Sequence, residues 1–130
     1  MNIGSIATGS KEATTIAFEI LKDGGNAADA AVGAVFTSMM SEYCLTGIGG
    51  GGCAMIAPFG LKPKVYDFFV KYPNSTFKKN HEFIKKTVDF GDAQQSFHIG
   101  KASIAVPGTL KGLVAIHEAY GKIPFEIIIN

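Results

Sequence analysis

The stretch Asn26-Ala27-Ala28-Asp29-Ala30-Ala31-Val32-Gly33-Ala34-Val35-Phe36-Thr37-Ser38-Met39-Met40 carries one charge, Asp29, and is otherwise built largely from small and apolar residues. Asn26 suits a helix N-cap, and Asp29 stands three residues on, where a reciprocal capping partner belongs, a place usually held by Glu or Gln. A helix that is apolar on every side is buried on every side, and its small residues let neighbouring backbones approach closely. The segment therefore predicts a central helix covered by more than one layer.

Upstream, Ala13, Ile16, Ala17, Ile20 and Leu21 form one stripe at helical period, predicting a helix buried on one face only. Ser10 is its N-cap, and Glu12 and Lys22 suit the two ends of the dipole. Gly24 or Gly25 supplies the left-handed cap. Downstream, Gly49 to Gly52 feed a short apolar run, Cys53 to Ala57; a turn at Pro58-Phe59-Gly60 and a second run, Lys64 to Val70, predict a β-hairpin. From Lys71 to Gly100 lysines dominate and no long periodicity survives, so this part reads as an exposed excursion with a short helix over Glu82 to Val88. A short strand over Ser103 to Val106 and a third helix over Thr109 to Tyr120 follow, the latter with Leu110, Leu113, Val114, His117 and Tyr120 on one stripe. Gly121 stops that helix, and Pro124 opens a fourth.

Composition excludes several classes. With 12 basic and 11 acidic side chains the net charge is +1, unlike the basic excess of a nucleic-acid binder. A chain that is 47% hydrophobic and 18% charged has enough apolar surface to bury a core. The uncharged stretch from Tyr43 to Leu61 contains Pro58 and the glycine run, so it reads as loop and turn rather than a membrane helix. Residues Met1 to Ser10 lack the basic start and apolar run of a signal peptide, so the chain reads as cytoplasmic or as missing its leader. Cys44 and Cys53, without CxxC or CxxH spacing, read as two buried thiols rather than a disulfide or a metal site.

Chemistry-bearing patterns are sparse. The Gly49 to Gly52 run invites a phosphate-loop reading, but a helix precedes it and a strand follows. A Walker loop or dinucleotide fingerprint needs strand, glycines, then helix. The reading preferred here is close backbone packing, with positive φ available to the glycines. His81, His98 and His117 are isolated, and His117 reads as a hydrogen-bonded core residue. No Gly-x-Ser-x-Gly is present. Asn74-Ser75-Thr76 matches a glycosylation acceptor, a triplet common by chance.

Three blocks carry a resemblance: Glu19-Ile20-Leu21-Lys22-Asp23-Gly24-Gly25-Asn26-Ala27-Ala28-Asp29-Ala30-Ala31; Thr46-Gly47-Ile48-Gly49-Gly50-Gly51-Gly52; and Ala105-Val106-Pro107-Gly108-Thr109 with Tyr120-Gly121 and Pro124. In this order, over most of the chain outside Lys71 to Gly100, they resemble the start of the γ-glutamyltransferase (glutathione hydrolase) family. The resemblance implies an α/β N-terminal-nucleophile hydrolase of αββα layers, of which residues 1–130 are a partial domain, the N-terminal part of the large subunit. It also implies a longer precursor that cuts itself into two subunits. The new N-terminal Thr of the small subunit attacks a γ-glutamyl carbonyl, forms an acyl-enzyme and passes the acyl group to water or an amino acid, its α-amine serving as base. No metal or organic cofactor is implied. The implied partners are the remainder of the large subunit, the small subunit and a γ-glutamyl amide such as glutathione, with neither nucleic acid nor membrane; family members are often exported.

The chain departs from the family in two ways. Thr8, Thr14, Thr15, Thr37, Thr46, Thr76, Thr87 and Thr109 lack the maturation pattern of paired Thr followed by His, so no catalytic residue is expected here and the chain alone reads as inactive. In typical members the strand after the glycines ends Asp-x-Arg-Glu-x-x-Pro, the Arg pairing with the substrate α-carboxylate. Here Asp67-Phe68-Phe69-Val70-Lys71-Tyr72-Pro73 puts Phe69 in that place, with Lys71 on the same strand face as a poor substitute. Loss of a bidentate contact costs on the order of 1.5–3 kcal/mol of binding, so γ-glutamyl substrates need not be preferred. Some 400 Å² of uncovered apolar surface, at about 25 cal/mol per Å², would cost a lone chain roughly 10 kcal/mol, so association or aggregation is expected. Two other readings are a non-catalytic subunit pairing with a separately encoded catalytic half, and a glycine-loop nucleotide-binding module.

Overall fold

The computed structural model describes residues 4–73 and 82–129. The Asn74-Ser75-Thr76 triplet and His81 lie outside the described residues. The chain divides into two compact units, Met1–Val70 with Pro107–Asn130, and Lys71–Val106.

The first unit begins with helix α1 (Lys11–Lys22), capped by Ser10, whose Oγ accepts the Ala13 N–H at 3.1 Å. Ala13, Ala17 and Ile20 are buried, while Ile16 at the edge of the stripe is partly open. Gly24 takes the left-handed conformation, φ +97°, and ends the helix. Gly25 serves differently: a Cβ there would meet the Ile20 carbonyl oxygen at 2.8 Å.

Helix α2 (Ala27–Ser41) starts with the full capping box. The Asn26 Oδ1 accepts the Ala28 and Asp29 N–H groups, and Asp29 Oδ2 accepts the Asn26 N–H at 2.8 Å. Ala28, Asp29, Ala30, Val32, Gly33 and Ala34 are buried against α1, α3 (Thr109–Tyr120) and α4 (Phe125–Ile129). Gly33 leaves the space filled by Ile20 Cδ1, with Ile128 Cγ2 3.4 Å from where its Cβ would lie. Burial all round does not extend along the whole helix: Ala27 and Ala31 are exposed, and Met40 in the last turn is 79% exposed. One side and the far end of α2 have no covering layer among the described residues.

Strands β1 (Cys53–Ile56) and β2 (Lys64–Asp67) form the hairpin, antiparallel with Cys53 opposite Asp67 and Ile56 opposite Lys64. Ala54, Ile56 and Tyr66 face the helices, and Tyr66 meets Tyr120 of α3 edge-on at 6.1 Å. Cys53 and Met55 point the other way, and both cysteines are free and exposed. The expectation of buried thiols fails because alternation puts Cys53 on the open face and Cys44 sits in the turn after α2. The inward face of α3 is Thr109, Gly112, Leu113 and Ile116. It is rotated from the predicted stripe, leaving Leu110 partly open, because the glycine face admits a neighbouring ring.

The second unit contains β3 (Ile84–Asp89) and β4 (Gln94–Ile99), paired antiparallel from Ile84 opposite Ile99 to Asp89 opposite Gln94. The helix expected over Glu82 to Val88 is thus a strand. Ile84 and Val88 are four apart, which fits a helix face and a strand face equally, and the partner strand with Phe97 and Ile99 decides the outcome. Both strands are exposed along their length. The strand expected over Ser103 to Val106 is a 3-10 turn, Lys101–Ser103, followed by a single bridge of Val106 to Lys71.

Candidate functional site

The glycine run, the end of the hairpin and the start of α3 meet at one corner of the first unit. Gly52 and Phe68 continue the β1–β2 ladder by exchanging backbone bonds, 3.0 Å for the Phe68 N–H to the Gly52 oxygen. The Gly50 carbonyl accepts the Gly108 N–H at 3.0 Å and the Thr109 N–H at 3.3 Å. Two amides at the N-terminus of α3, where an anion would sit, are therefore engaged by the loop's own oxygen. Positive φ plays no part in the run, since none of Gly49 to Gly52 adopts it. At Gly51 the use is close approach: a Cβ there would lie on the Val70 nitrogen and within 2.9 Å of Phe69 Cα.

Three glycines from two segments make room for Phe68, two for its ring and one for its carbonyl. A Cβ at Gly52 would be 3.2 Å from Phe68 Cε2, one at Gly108 would strike the Phe68 carbonyl, and one at Gly112 would enter the Phe68 ring. Phe68 is half-buried there, and its neighbour Phe69 is turned outward, 63% exposed. The Asp67 Oδ1 accepts the Phe69 N–H at 3.0 Å, a turn stabilised two residues along the chain. The result is an exposed aromatic side chain on a backbone held by a side-chain acceptor and by the glycine loop. Sequence reading singled out Phe69 but passed over Phe68; the glycine at helical position 112, facing a strand end, was the available signal.

Lys71 does not share a strand face with Phe69. Strand β2 ends at Asp67, and Lys71 pairs instead with Val106, through bonds of 3.0 and 2.7 Å. Among the described residues no group of three His, Cys, Asp or Glu is placed to hold a metal ion, and no helix is long and apolar enough to cross a membrane.

His117 is a core residue. Its Nε2 donates to the Ile123 carbonyl at 2.9 Å and lies 3.4 Å from Asp29 Oδ1; both neighbours accept, so that nitrogen carries a proton. Asp29 is fully buried and also accepts the Lys122 N–H, while Asn26 Nδ2 donates to the Tyr120 carbonyl at 2.6 Å. The capping pair of α2 is thereby also the clamp on the turn between α3 and α4. Its polar atoms are spent on the backbone, which leaves it without the open face a catalytic group requires. His98 lies in the second unit, stacked on Phe83 at 4.5 Å.

The sequence model of the family described as Gamma-glutamyltranspeptidase matches residues 13–130. The chain belongs to the γ-glutamyltranspeptidase family. It is 32% identical over 128 residues to the glutathione hydrolase proenzyme of Pseudomonas aeruginosa, covering 98% of this chain and 22% of that protein. It is 29% identical over 131 residues to the acylase ACY 1 proenzyme of Pseudomonas sp. strain SE83, covering 98% of this chain and 23% of that protein. The solved structure of Helicobacter pylori γ-glutamyltranspeptidase superposes with a TM-score of 0.77 at 27% identity, covering 99% of this chain and 36% of that one. The chain thus spans about a fifth of the length of the proenzymes it matches. Its mixed helices and hairpins are part of the N-terminal-nucleophile hydrolase fold of those relatives.

Proposed function

We propose that this chain is the front portion of the large subunit of an acyl-transferring enzyme and shapes its acyl pocket without supplying the nucleophile. In the full assembly, the oxygen of an N-terminal Thr on the small subunit adds to the amide carbonyl. The amine leaves with a proton, and water or a second amine then takes the acyl group from the resulting ester. The nucleophile belongs to sequence outside these 130 residues. The remaining surface of α2 and the open face of the hairpin are where the missing portions pack.

The observation that carries this reading is the corner at Phe69. By the resemblance of Asp67–Pro73 to the family motif, the carboxylate-binding Arg would stand at residue 69; this chain has Phe there, its ring exposed and its backbone anchored. A ring offers no charge to an α-carboxylate but packs well against apolar acyl chains. The assembled enzyme is therefore expected to take acyl groups lacking that carboxylate in preference to γ-glutamyl groups. A relative named as an acylase supports the direction of this reading.

The test compares kcat/KM for γ-glutamyl-p-nitroanilide and pentanoyl-p-nitroanilide in the assembly purified from its source. Phe69→Arg should shift the ratio toward the γ-glutamyl substrate by roughly ten- to a hundredfold, the worth of a charge-assisted pair. Turnover of neither amide, or an unmoved ratio, overturns the reading.

A second reading, in which this chain is a non-catalytic subunit paired with a separately encoded catalytic half, is favoured by the amount of apolar side chain left open, Met40, Leu45 and Ile48 among it. Mass spectrometry of the purified assembly distinguishes the two. A Thr-starting partner from a separate gene supports the second reading, and one reading frame containing both supports the first.

A further inference from the structure

Residue 69 is held by two contacts, and one of the holders carries a side chain that can be altered without touching the core. Asp67 is exposed at the end of β2, and its carboxylate oxygen accepts the Phe69 N–H at 3.0 Å. Gly51 leaves no room between itself and the Phe69–Val70 backbone. Phe68 between them is locked into the ladder by Gly52 and by the space cleared at Gly108 and Gly112. Without the Asp67 acceptor, the peptide after Phe68 keeps only the Gly51 contact, and its N–H turns to water.

We infer that Asp67 is a positioning residue that sets the direction of the Phe69 ring in the acyl pocket and so governs which acyl groups are accepted; this rests on the proposed function above. Its action runs through the backbone of residue 69, so it depends on an acceptor oxygen at the Oδ1 position and not on negative charge. Asn presents the same oxygen, whereas Ala presents none. Small displacements of a substrate-contacting group have large effects on reaction rates.

The experiment uses the assembly and two variants, Asp67→Asn and Asp67→Ala. In Asp67→Ala the pentanoyl to γ-glutamyl ratio of kcat/KM should collapse by about tenfold, chiefly through KM for the pentanoyl substrate, as expected for a misplaced contact. Asp67→Asn should retain the wild-type ratio. Hydrogen exchange at the Phe69 amide should quicken in Asp67→Ala and stay slow in Asp67→Asn, a readout that needs no turnover. A wild-type assembly that turns over neither amide overturns the functional reading and this inference with it. An active assembly in which Asp67→Ala matches wild type in ratio and exchange overturns the inference alone, as does an Asn variant that behaves like Ala.

Discussion

The Asp29 carboxylate accepts the backbone N–H of Lys122 through both oxygens, at 3.0 and 3.1 Å, although 93 residues separate them. The same carboxylate caps α2 through the Asn26 N–H and faces His117 Nε2. One fully buried acid thus ties the start of the central helix to the turn that launches α4.

Asp29→Ala would leave the Asn26 and Lys122 amides without their acceptor inside a closed environment, while His117 Nε2 would keep the Ile123 carbonyl. Each buried donor left unpaired costs about 1–3 kcal/mol, so a loss of roughly 3 kcal/mol or more is expected. Asp29→Asn keeps one acceptor oxygen and should cost less. Urea denaturation of the two variants beside wild type checks both the size and the order.

The glycine run should tolerate substitution unevenly. A Cβ at Gly49 meets nothing within 4 Å, whereas one at Gly51 collides with backbone that cannot swing aside. Gly49→Ala is expected to change stability by less than about 0.5 kcal/mol. Gly51→Ala should cost about 1–3 kcal/mol as overpacking and disturb Phe69 with it. Equal effects in thermal melts would contradict the packing role assigned to the run.

Acid should loosen the β3–β4 hairpin at its turn. The Gly91 N–H, with help from the Gln94 side chain, holds the Asp89 carboxyl below the usual carboxylate range. A group whose folded value is depressed stabilises the fold above its unfolded value, and that contribution fades as pH falls through the folded one. Protection of the Gly91 amide, its exchange compared with an unstructured amide at the same pH, should therefore fall below about pH 4, where an ordinary Asp protonates. Asp89→Asn should remove the pH dependence of that protection.

Much of the first unit is legible along the chain because its signals are local. Ser10 and the Asn26–Asp29 pair announce helix starts by hydrogen bonds within three residues, and Gly24 ends α1 through its own φ. The hairpin announces itself by alternation on either side of Pro58-Phe59-Gly60. The segment over Ile84–Asp89 does not, since residues four apart share a face in a helix and in a strand, and only pairing with Gln94–Ile99 separates the two.

The amino-acid order alone determined the helices α1 to α3, the β1–β2 hairpin, the family, and the identity of residue 69, because capping, periodicity and motif spacing are properties of neighbours in the chain. The tertiary structure alone decided the rest. It turned the inward face of α3 toward Gly112, since that face must admit the Phe68 ring from a strand end far away in sequence. It gave Asp29 a second set of partners beyond its own helix. It also ended β2 at Asp67, so that Lys71 pairs with Val106 and Phe69 stands clear of the strand. These outcomes depend on which distant backbones compete for the same space, and that competition is settled only when the layers meet.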